Sequence, residues 1–372
     1  MAGARRTVVQ LLPALDAGGV ERSTLEIADA LVRAGHRAIV VSAGGGLVPR
    51  LTAVGAEHVT LDIGRKSPLT VRHIPALRRL FERERVDLVH ARSRLPAWIG
   101  WRAIRGMRAN APRWVTSVHG LNSPSRYSAI MTSGERVICV SQTVHDYVLE
   151  HYPRTNADKL RVIPRGVDVA AFPYRTWPDR DARRRAATLH PALDGDGPLL
   201  LLPGRGTRLK GHADALTLLA GLRADGRDAR LWMPGSRVED RERYLDELQA
   251  IAERLGIAEV VAFTPPTLAI ADAYAASDLV LQLSRKPEAF GRTVLEALAT
   301  GRSVVGWDHG GVGELLRRYD PRGAVPPFDG TLLERTAHAL LDAPPPRPVT
   351  MPHTLRAMQE ATLAVYAELE PR

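Results

Sequence analysis

Lys286-Pro-Glu-Ala-Phe-Gly-Arg-Thr-Val-Leu-Glu-Ala-Leu-Ala-Thr-Gly301 is the stretch on which the reading of the fold turns. It follows an apolar run, Asp278-Leu-Val-Leu-Gln-Leu-Ser284, which reads as a buried strand. Gly291 opens a turn and Thr293 begins a helical pattern. Val294, Leu295 and Leu298 give that helix an apolar face, and Gly301 suits the position just past its end. A strand, a glycine turn and a helix N-terminus together make a place for an anion. The first helical turn leaves backbone N–H groups unpaired, and the helix dipole favours negative charge there. Glu288 precedes the helix and Glu296 lies within its first turns. A fully helical span would part them by ~12 Å along the axis. With part of the span as loop, the two carboxylates can flank one extended ligand. A nucleotide sugar has that shape, with hydroxyls at both ends and a diphosphate between them.

Two glutamates at this spacing occur by chance in most chains, as two surface charges. Here the whole phrase Glu288-Ala-Phe-Gly-Arg-Thr-Val-Leu-Glu296-Ala-Leu-Ala-Thr-Gly301 resembles the E-X7-E motif of the retaining GT-B glycosyltransferases, family 4. Further matches follow in the expected order, from about Leu11 to Leu316. The resemblance implies an α/β protein of two facing Rossmann-like domains with the active site in the cleft. Residues 1–172 would bind the acceptor and 173–348 the nucleotide-sugar donor, with the helix at 353–372 packing back on the first domain. The implied reaction is retaining, metal-independent transfer of a hexose to a saccharide acceptor. The donor is a substrate, a UDP-sugar first among the carriers, and neither a cofactor nor a metal is implied.

The rest of the chain alternates strands and helices in two series. Thr7 to Pro13 reads as a strand, Asp16-Ala-Gly-Gly-Val-Glu-Arg22 as a glycine loop, and Ser23 to Ala34 as a helix. The loop lacks the G-x-G-x-x-G of a dinucleotide site. The resemblance makes Gly18 and Gly19 the place where backbone approaches donor phosphate or acceptor; the plainer reading is a tight turn. Leu69 to Glu84 reads as one helix. Trp114-Val-Thr-Ser-Val-His119 is a strand ending in histidine, at the sheet edge where open α/β folds bind ligands. In the family a histidine here contacts the transferred sugar. Ser141, at the end of the next strand, is a weaker candidate. Ile163-Pro-Arg-Gly-Val-Asp168 resembles the family's interdomain phrase, with Arg165 where asparagine is usual.

The second series opens with the strand Pro198-Leu-Leu-Leu-Leu-Pro-Gly204, followed by Arg205-Gly-Thr-Arg-Leu-Lys210-Gly. This is no P-loop, because the lysine precedes its glycine. It resembles the family's phrase in which Arg205 and Lys210 hold the diphosphate. Fixed cations suit a leaving group that gains charge in the transition state. By the same resemblance Glu288, Ala289, Phe290 and Gly291 meet the sugar, Arg292 and Thr293 the phosphates, Glu296 the ribose, and Phe263 and Thr264 the base. Asp179-Arg-Asp181 and Asp194-Gly-Asp196 match the D-x-D pattern of metal-bound donors, but both lie in a polar linker and read as turn residues. Pro344 to Pro348 reads as a stiff linker.

Composition narrows the classes. No apolar run approaches the ~20 residues of a membrane-spanning helix. The strand-like N-terminus does not read as a signal peptide. One cysteine, Cys139, excludes a disulfide within the chain. The expectation is a cytoplasmic protein. The net charge of +10 is uneven: residues 1–172 hold 25 Lys+Arg and 14 Asp+Glu, a surplus of +11. That surplus suits an anionic acceptor or an anionic membrane surface. Gly18-Gly-Val-Glu-Arg22 and Ala91-Arg-Ser-Arg94 resemble phrases of bacterial enzymes that build lipopolysaccharide core, which suggests a phosphorylated or lipid-linked acceptor and peripheral membrane contact. Competing readings are a GT-B sugar-nucleotide epimerase or hydrolase and a non-catalytic nucleotide-sugar binder. A nucleic-acid partner is suggested by charge alone and is not expected, since no nucleic-acid-binding motif accompanies it.

Overall fold

The computed structural model describes residues 5–16, 18–107, 110–238, 241–344 and 351–371. Contacts divide the chain into two units, residues 1–165 with 355–372, and residues 166–354. The first unit carries seven strands: β1 (Thr7–Leu11), β2 (Arg37–Ser42), β3 (Glu57–Thr60), β4 (Leu88–Ala91), β5 (Arg113–Val118), β6 (Arg136–Cys139) and β7 (Leu160–Val162). They pair in parallel in the order β3-β2-β1-β4-β5-β6-β7. The second unit carries β8 (Leu199–Leu201), β9 (Arg230–Pro234), β10 (Val261–Thr264), β11 (Leu279–Gln282), β12 (Ser303–Trp307) and β13 (Ala324–Val325). Their order is β10-β9-β8-β11-β12-β13, again parallel. Each unit is therefore a Rossmann-like sheet. Helices cover both faces of such a sheet, which is why its central strands are nearly continuous apolar runs. Leu199, Leu200 and Leu201 are all fully buried.

Each sheet reverses its strand order once. The reversal lies between β1 and β4 in the first unit and between β8 and β11 in the second. Loops leaving the carboxyl ends of those neighbours diverge and leave a crevice, the usual ligand site of open α/β sheets. β1 leads to Gly18 and Gly19 and β4 to Arg92. β8 leads to Arg205 and Lys210, and β11 to Glu288.

The helix Leu355–Ala367 belongs to the first unit, where Met358, Val365 and Tyr366 join the core around Ile27, Leu31 and Val40. Gln359 anchors it by donating to the Glu26 carbonyl at 2.7 Å. The division falls between Arg165 and Gly166, earlier than the expected boundary after Phe172. Residues past 165 are claimed by the second unit: Val167 N–H donates to the His353 carbonyl at 2.9 Å, and Phe172 packs edge-on against Tyr274 at 5.8 Å.

Several local expectations change. The first helix runs Gly19–Arg33, beginning before Ser23, so Gly19 is its first residue and not part of a loop. Leu69 to Glu84 is not one helix. A 3-10 turn, Pro68–Arg72, precedes the helix His73–Arg83. Pro75 sits in the first turn of that helix, where its missing N–H is tolerated; inside a helix begun at Leu69 it would lose the bond to the Val71 carbonyl and clash with it, so the helix starts afresh at His73. Asp179 caps the helix Arg180–Leu189, accepting from the N–H groups of Asp181 at 2.9 Å and Ala182 at 3.0 Å. Helix Gly330–Asp342 and strand β13 have no counterpart in the sequence reading. The proline linker from Pro345 onward lies outside the described residues. Cys139 is buried in β6, and burial, with Asp146 adding, pushes its thiol up to about 12. Among the described residues, no helix is long and apolar enough to cross a membrane.

Candidate functional site

In the second unit the loops after β8 and β11 meet. Lys210 ends a 3-10 turn, Arg208–Lys210, and Gly211 follows at φ 74°. A Cβ on Gly211 would lie 2.0 Å from the Leu283 carbonyl oxygen, so only glycine lets the loop settle on the exit of β11. Arg285 N–H donates to the Leu209 carbonyl at 2.8 Å and ties the two loops together. The result is an ion pair: Lys210 Nζ stands 2.5 Å from Glu288 Oε1, which also accepts from Ser284 Oγ. Both partners of the pair are partly exposed. Arg205 is exposed and, among the described residues, its guanidinium has no partner.

Two helix starts flank Glu288. Helix Gly310–Tyr319 donates the Gly311 N–H to the Glu288 carbonyl at 2.7 Å, and His309 Nε2 bonds the Ser284 carbonyl at 2.8 Å. Helix Arg292–Ala299 begins after Gly291, at φ 112°, and has no side-chain cap. A Cβ at Gly291 would approach Val312 Cγ2 to 2.9 Å. Arg292 donates to the Gly166 carbonyl at 3.2 Å. Thr293 is half-buried and follows it in the first turn. Ala289 is half-buried and Phe290 is buried. Glu296 is buried too, with Oε2 accepting from Tyr274 Oη at 3.1 Å and Oε1 3.8 Å from Arg292 Nε. The glutamate pair is thus asymmetric: Glu288 is accessible, and Glu296 is held inside. At the end of β10, Phe263 is half-buried and Thr264 accepts from Trp232 Nε1 at 3.0 Å. A cavity of about 550 Å³ opens there, lined by Trp232, Thr264, Pro266 and Leu268 among others.

The first unit brings together a different set. Gly18 is extended at φ 170° and precedes the helix Gly19–Arg33. A Cβ on Gly18 would meet Glu21 Oε2 at 2.2 Å. In the same helix Ser23 is fully buried and accepts from Arg92 Nη1 at 3.2 Å and from Arg165 Nη1. Arg92 also donates to Gln10 Oε1 at 2.7 Å. Arg165 Nη2 donates to His119 Nδ1. His90 bridges Tyr366 Oη at 2.6 Å and Ser117 Oγ at 2.7 Å. Burial, then the charges of Arg165 and Arg92 and the neighbouring His90, hold His119 well below the usual histidine range. Burial, then Arg92 and Arg165, do the same to His90. Ser141 plays a structural part, since its Oγ caps the helix Gln142–His151 by accepting from Val144 N–H at 3.0 Å.

Sequence reading does not anticipate Arg92, Ser23, Ser284 and His309 as members of these clusters. In the sequence Arg92 is only part of a basic phrase, yet it is 3% exposed. Arg165 shows itself there only as a departure from asparagine. Ser284 reaches Glu288 from only four residues away; the other contacts join residues distant in the chain, and the strand order that brings them together is the missing signal.

This arrangement matches known proteins. A family model described as Glycosyltransferase Family 4 covers residues 17–171, and one described as Glycosyl transferases group 1 covers residues 189–350. The chain belongs to the GT-B glycosyltransferases of family 4. A D-inositol 3-phosphate glycosyltransferase of Jonesia denitrificans is 30% identical over 251 residues, 61% of this chain and 56% of that protein. The chain thus spans about half the length of the curated relatives it matches. The crystal structure of a glycosyltransferase from Rickettsia africae has 26% identity and a TM-score of 0.85, over 98% of both chains. HepE of Anabaena, solved in complex with UDP and glucose, is 19% identical with a TM-score of 0.76, over 98% of this chain and 96% of that one. At that identity the likeness speaks for the fold.

Proposed function

We propose that this family 4 chain is a retaining, metal-independent hexosyltransferase that uses a nucleotide sugar, a UDP-sugar first among the carriers. The observation that carries the reading is the Lys210–Glu288 pair at the strand-order reversal of the second unit. Without ligand the two charges neutralise each other. With a nucleotide sugar bound, Lys210 turns to the diphosphate with Arg205, and Glu288 accepts from sugar hydroxyls. Ala289, Phe290 and Gly291 offer backbone to the sugar, Arg292 and Thr293 meet the phosphates, Glu296 the ribose, and Phe263 and Thr264 the base. The acceptor hydroxyl attacks the anomeric carbon on the face the diphosphate leaves. Its proton passes to the departing phosphate oxygen. Arg205, Lys210 and the helix N-termini stabilise the charge that develops there. His119, with Gly18 and Gly19, serves the transferred sugar and the acceptor from the first unit.

The acceptor we propose is a phosphorylated or lipid-linked saccharide of the cell envelope, lipopolysaccharide core being one such glycan. The curated relatives act, by name, on an inositol phosphate, which supports a phosphorylated acceptor. The enzyme would then work in the cytoplasm, in peripheral contact with the inner membrane. A thermal-shift screen with UDP, GDP and ADP in the presence of EDTA tests the donor reading. A ligand at a hundred times its Kd raises stability by about 2.7 kcal/mol. UDP should raise the melting temperature most, with EDTA making no difference. No shift with any nucleotide, or one that appears only with magnesium, would refute it.

A further inference from the structure

Arg165 stands where the family's interdomain phrase usually has asparagine, and the structure gives it two partners in the first unit. Nη1 donates to the buried Ser23 hydroxyl, which also accepts from Arg92, and Nη2 donates to His119 Nδ1. A guanidinium has donors and no acceptor. His119 Nδ1 must therefore be the acceptor, and the one remaining ring proton sits on Nε2. An imidazolium has no acceptor to offer, so the contact is also incompatible with a charged ring. Asparagine could turn either end of its amide to the ring and would leave the tautomer open. Arginine does not.

The surroundings point the same way. The groups that face His119 electrostatically are Arg165, Arg92 and His90, with no carboxylate among them. His119 Nε2 is buried and, among the described residues, without a hydrogen-bond partner. A buried polar atom in that condition calls for an explanation, and a ligand that supplies the partner is one.

We propose that Arg165 is a positioning residue: it fixes His119 as the neutral imidazole with its proton on Nε2, so that the ring presents one hydrogen-bond donor to an oxygen of the bound sugar. This rests on the reading that His119 belongs to the transfer site. It assigns the ring a polarising role and excludes it as a general base or a cation.

The test is nitrogen NMR of the full chain labelled with ¹⁵N-histidine, the His119 signals being assigned by their loss in His119→Gln. The wild type should show a pyridine-type Nδ1 and a pyrrole-type Nε2 that do not titrate through the ordinary histidine range near ~6.5. Arg165→Met should give a mixed, titrating ring, and Arg165→Lys should restore the fixed tautomer, since an ammonium also only donates. Turnover should follow the tautomer. Arg165→Met should lose roughly tenfold or more in kcat, with KM for the nucleotide sugar within about twofold, and Lys should recover it. An Nδ1–H or charged His119 in the wild type at neutral pH would overturn the proposal, whether or not a variant folds. So would an unchanged ring in Arg165→Met. Failure of the underlying reading looks different: His119→Gln would then retain full turnover.

Discussion

The two crevices of this protein handle positive charge in opposite ways. In the second unit the cations stand at the surface, Arg205 without a partner among the described residues and Lys210 in a partly exposed pair with Glu288. In the first unit Arg92 is buried, donating to Gln10 and Ser23 with the Glu26 carboxylate and Tyr366 close by, and Arg165 leans on Ser23 and His119. An exposed ion pair is worth little, about 0–1 kcal/mol, so Lys210 and Glu288 can exchange each other for a ligand at small cost. A buried guanidinium held by fixed hydrogen bonds cannot move without leaving those partners unsatisfied. One crevice is built to capture and release, the other to hold a fixed geometry.

The largest effect that separates these roles concerns the glutamates. Glu288→Ala should lower transfer by ~10²-fold or more, the scale seen when one transition-state contact is removed. Affinity for the free nucleoside diphosphate should be kept or rise, because Lys210 is released from its partner. Glu296→Ala should weaken the free nucleotide by about 1–3 kcal/mol, the worth of a hydrogen bond to a charged group. It also strips Tyr274 Oη of an acceptor, so a modest loss of stability should accompany it. Calorimetry with the nucleotide alone decides the matter. A loss of nucleotide affinity in Glu288→Ala alone would mean the ligand lies the other way round, and equal losses in both variants would refute the division of roles.

Much of the second unit's crevice is legible in the sequence, because the family phrase is local: Glu288, Gly291 and Glu296 sit within one strand–turn–helix unit. Lys210 is legible as a phrase, but its pairing with Glu288 is not, since that depends on β8 lying beside β11. The first unit is less legible. His119 is visible at its strand end, yet the residues that set its state come from after β4, from the first helix and from after β7. Helix limits shift where capping decides them, as at Gly18. The break before His73 follows from Pro75, whose effect on the helical pattern the apolar periodicity hides. Asp179 reads as a turn residue and is one of the caps, and the N–H groups beside it account for its position.

Acid should act unequally on the two units. A histidine held neutral by burial has a folded pKa below its unfolded value. Its contribution is fully present above about 6.5 and is lost as pH falls through that value. The loss stops growing below the folded pKa. In the second unit His212 is pushed down to about 4, chiefly by burial, which corresponds to roughly 3 kcal/mol at most, and His190 and His353 are lowered there too. In the first unit His90 and His119 both lie well below the usual range. In the second unit Asp320 runs the other way: burial raises its pKa, so stability returns as it takes up a proton. Asp320 offsets part of the second unit's loss, while His36 and His58 add to that of the first, so between about pH 6.5 and 4 the first unit should open before the second. Hydrogen exchange at pH 7 and pH 5, read by peptide, tests this. Earlier deprotection of β8, β11 and β12 would contradict it.

The smallest expected effect concerns the charge surplus of the first unit. Several of its arginines are already spent on neighbours: Arg37 on Glu57 and Glu84, Arg83 on Glu84, Arg136 and Arg161 on Glu368. Arg78 donates to the Ala103 carbonyl at 3.3 Å. Arg72, Arg79, Arg85, Arg102 and Arg105 remain exposed, and Arg108 lies outside the described residues. Leu69 and Val71 are exposed beside Arg72, at 68% and 60%, and Arg105 stacks 4.7 Å from the Trp101 ring. A basic surface with a few apolar side chains suits an anionic leaflet. Each basic residue close to it is worth about 1 kcal/mol, and salt screens the attraction beyond a Debye length of ~8 Å. The chain should co-sediment with vesicles containing phosphatidylglycerol at low salt, release at high salt, and ignore neutral vesicles. Replacing Arg72, Arg79 and Arg105 by Gln together should abolish the binding while leaving the melting temperature of the nucleotide-free protein unchanged. Absence of binding at low salt would remove the membrane from the account, and the surplus would then serve a soluble charged acceptor.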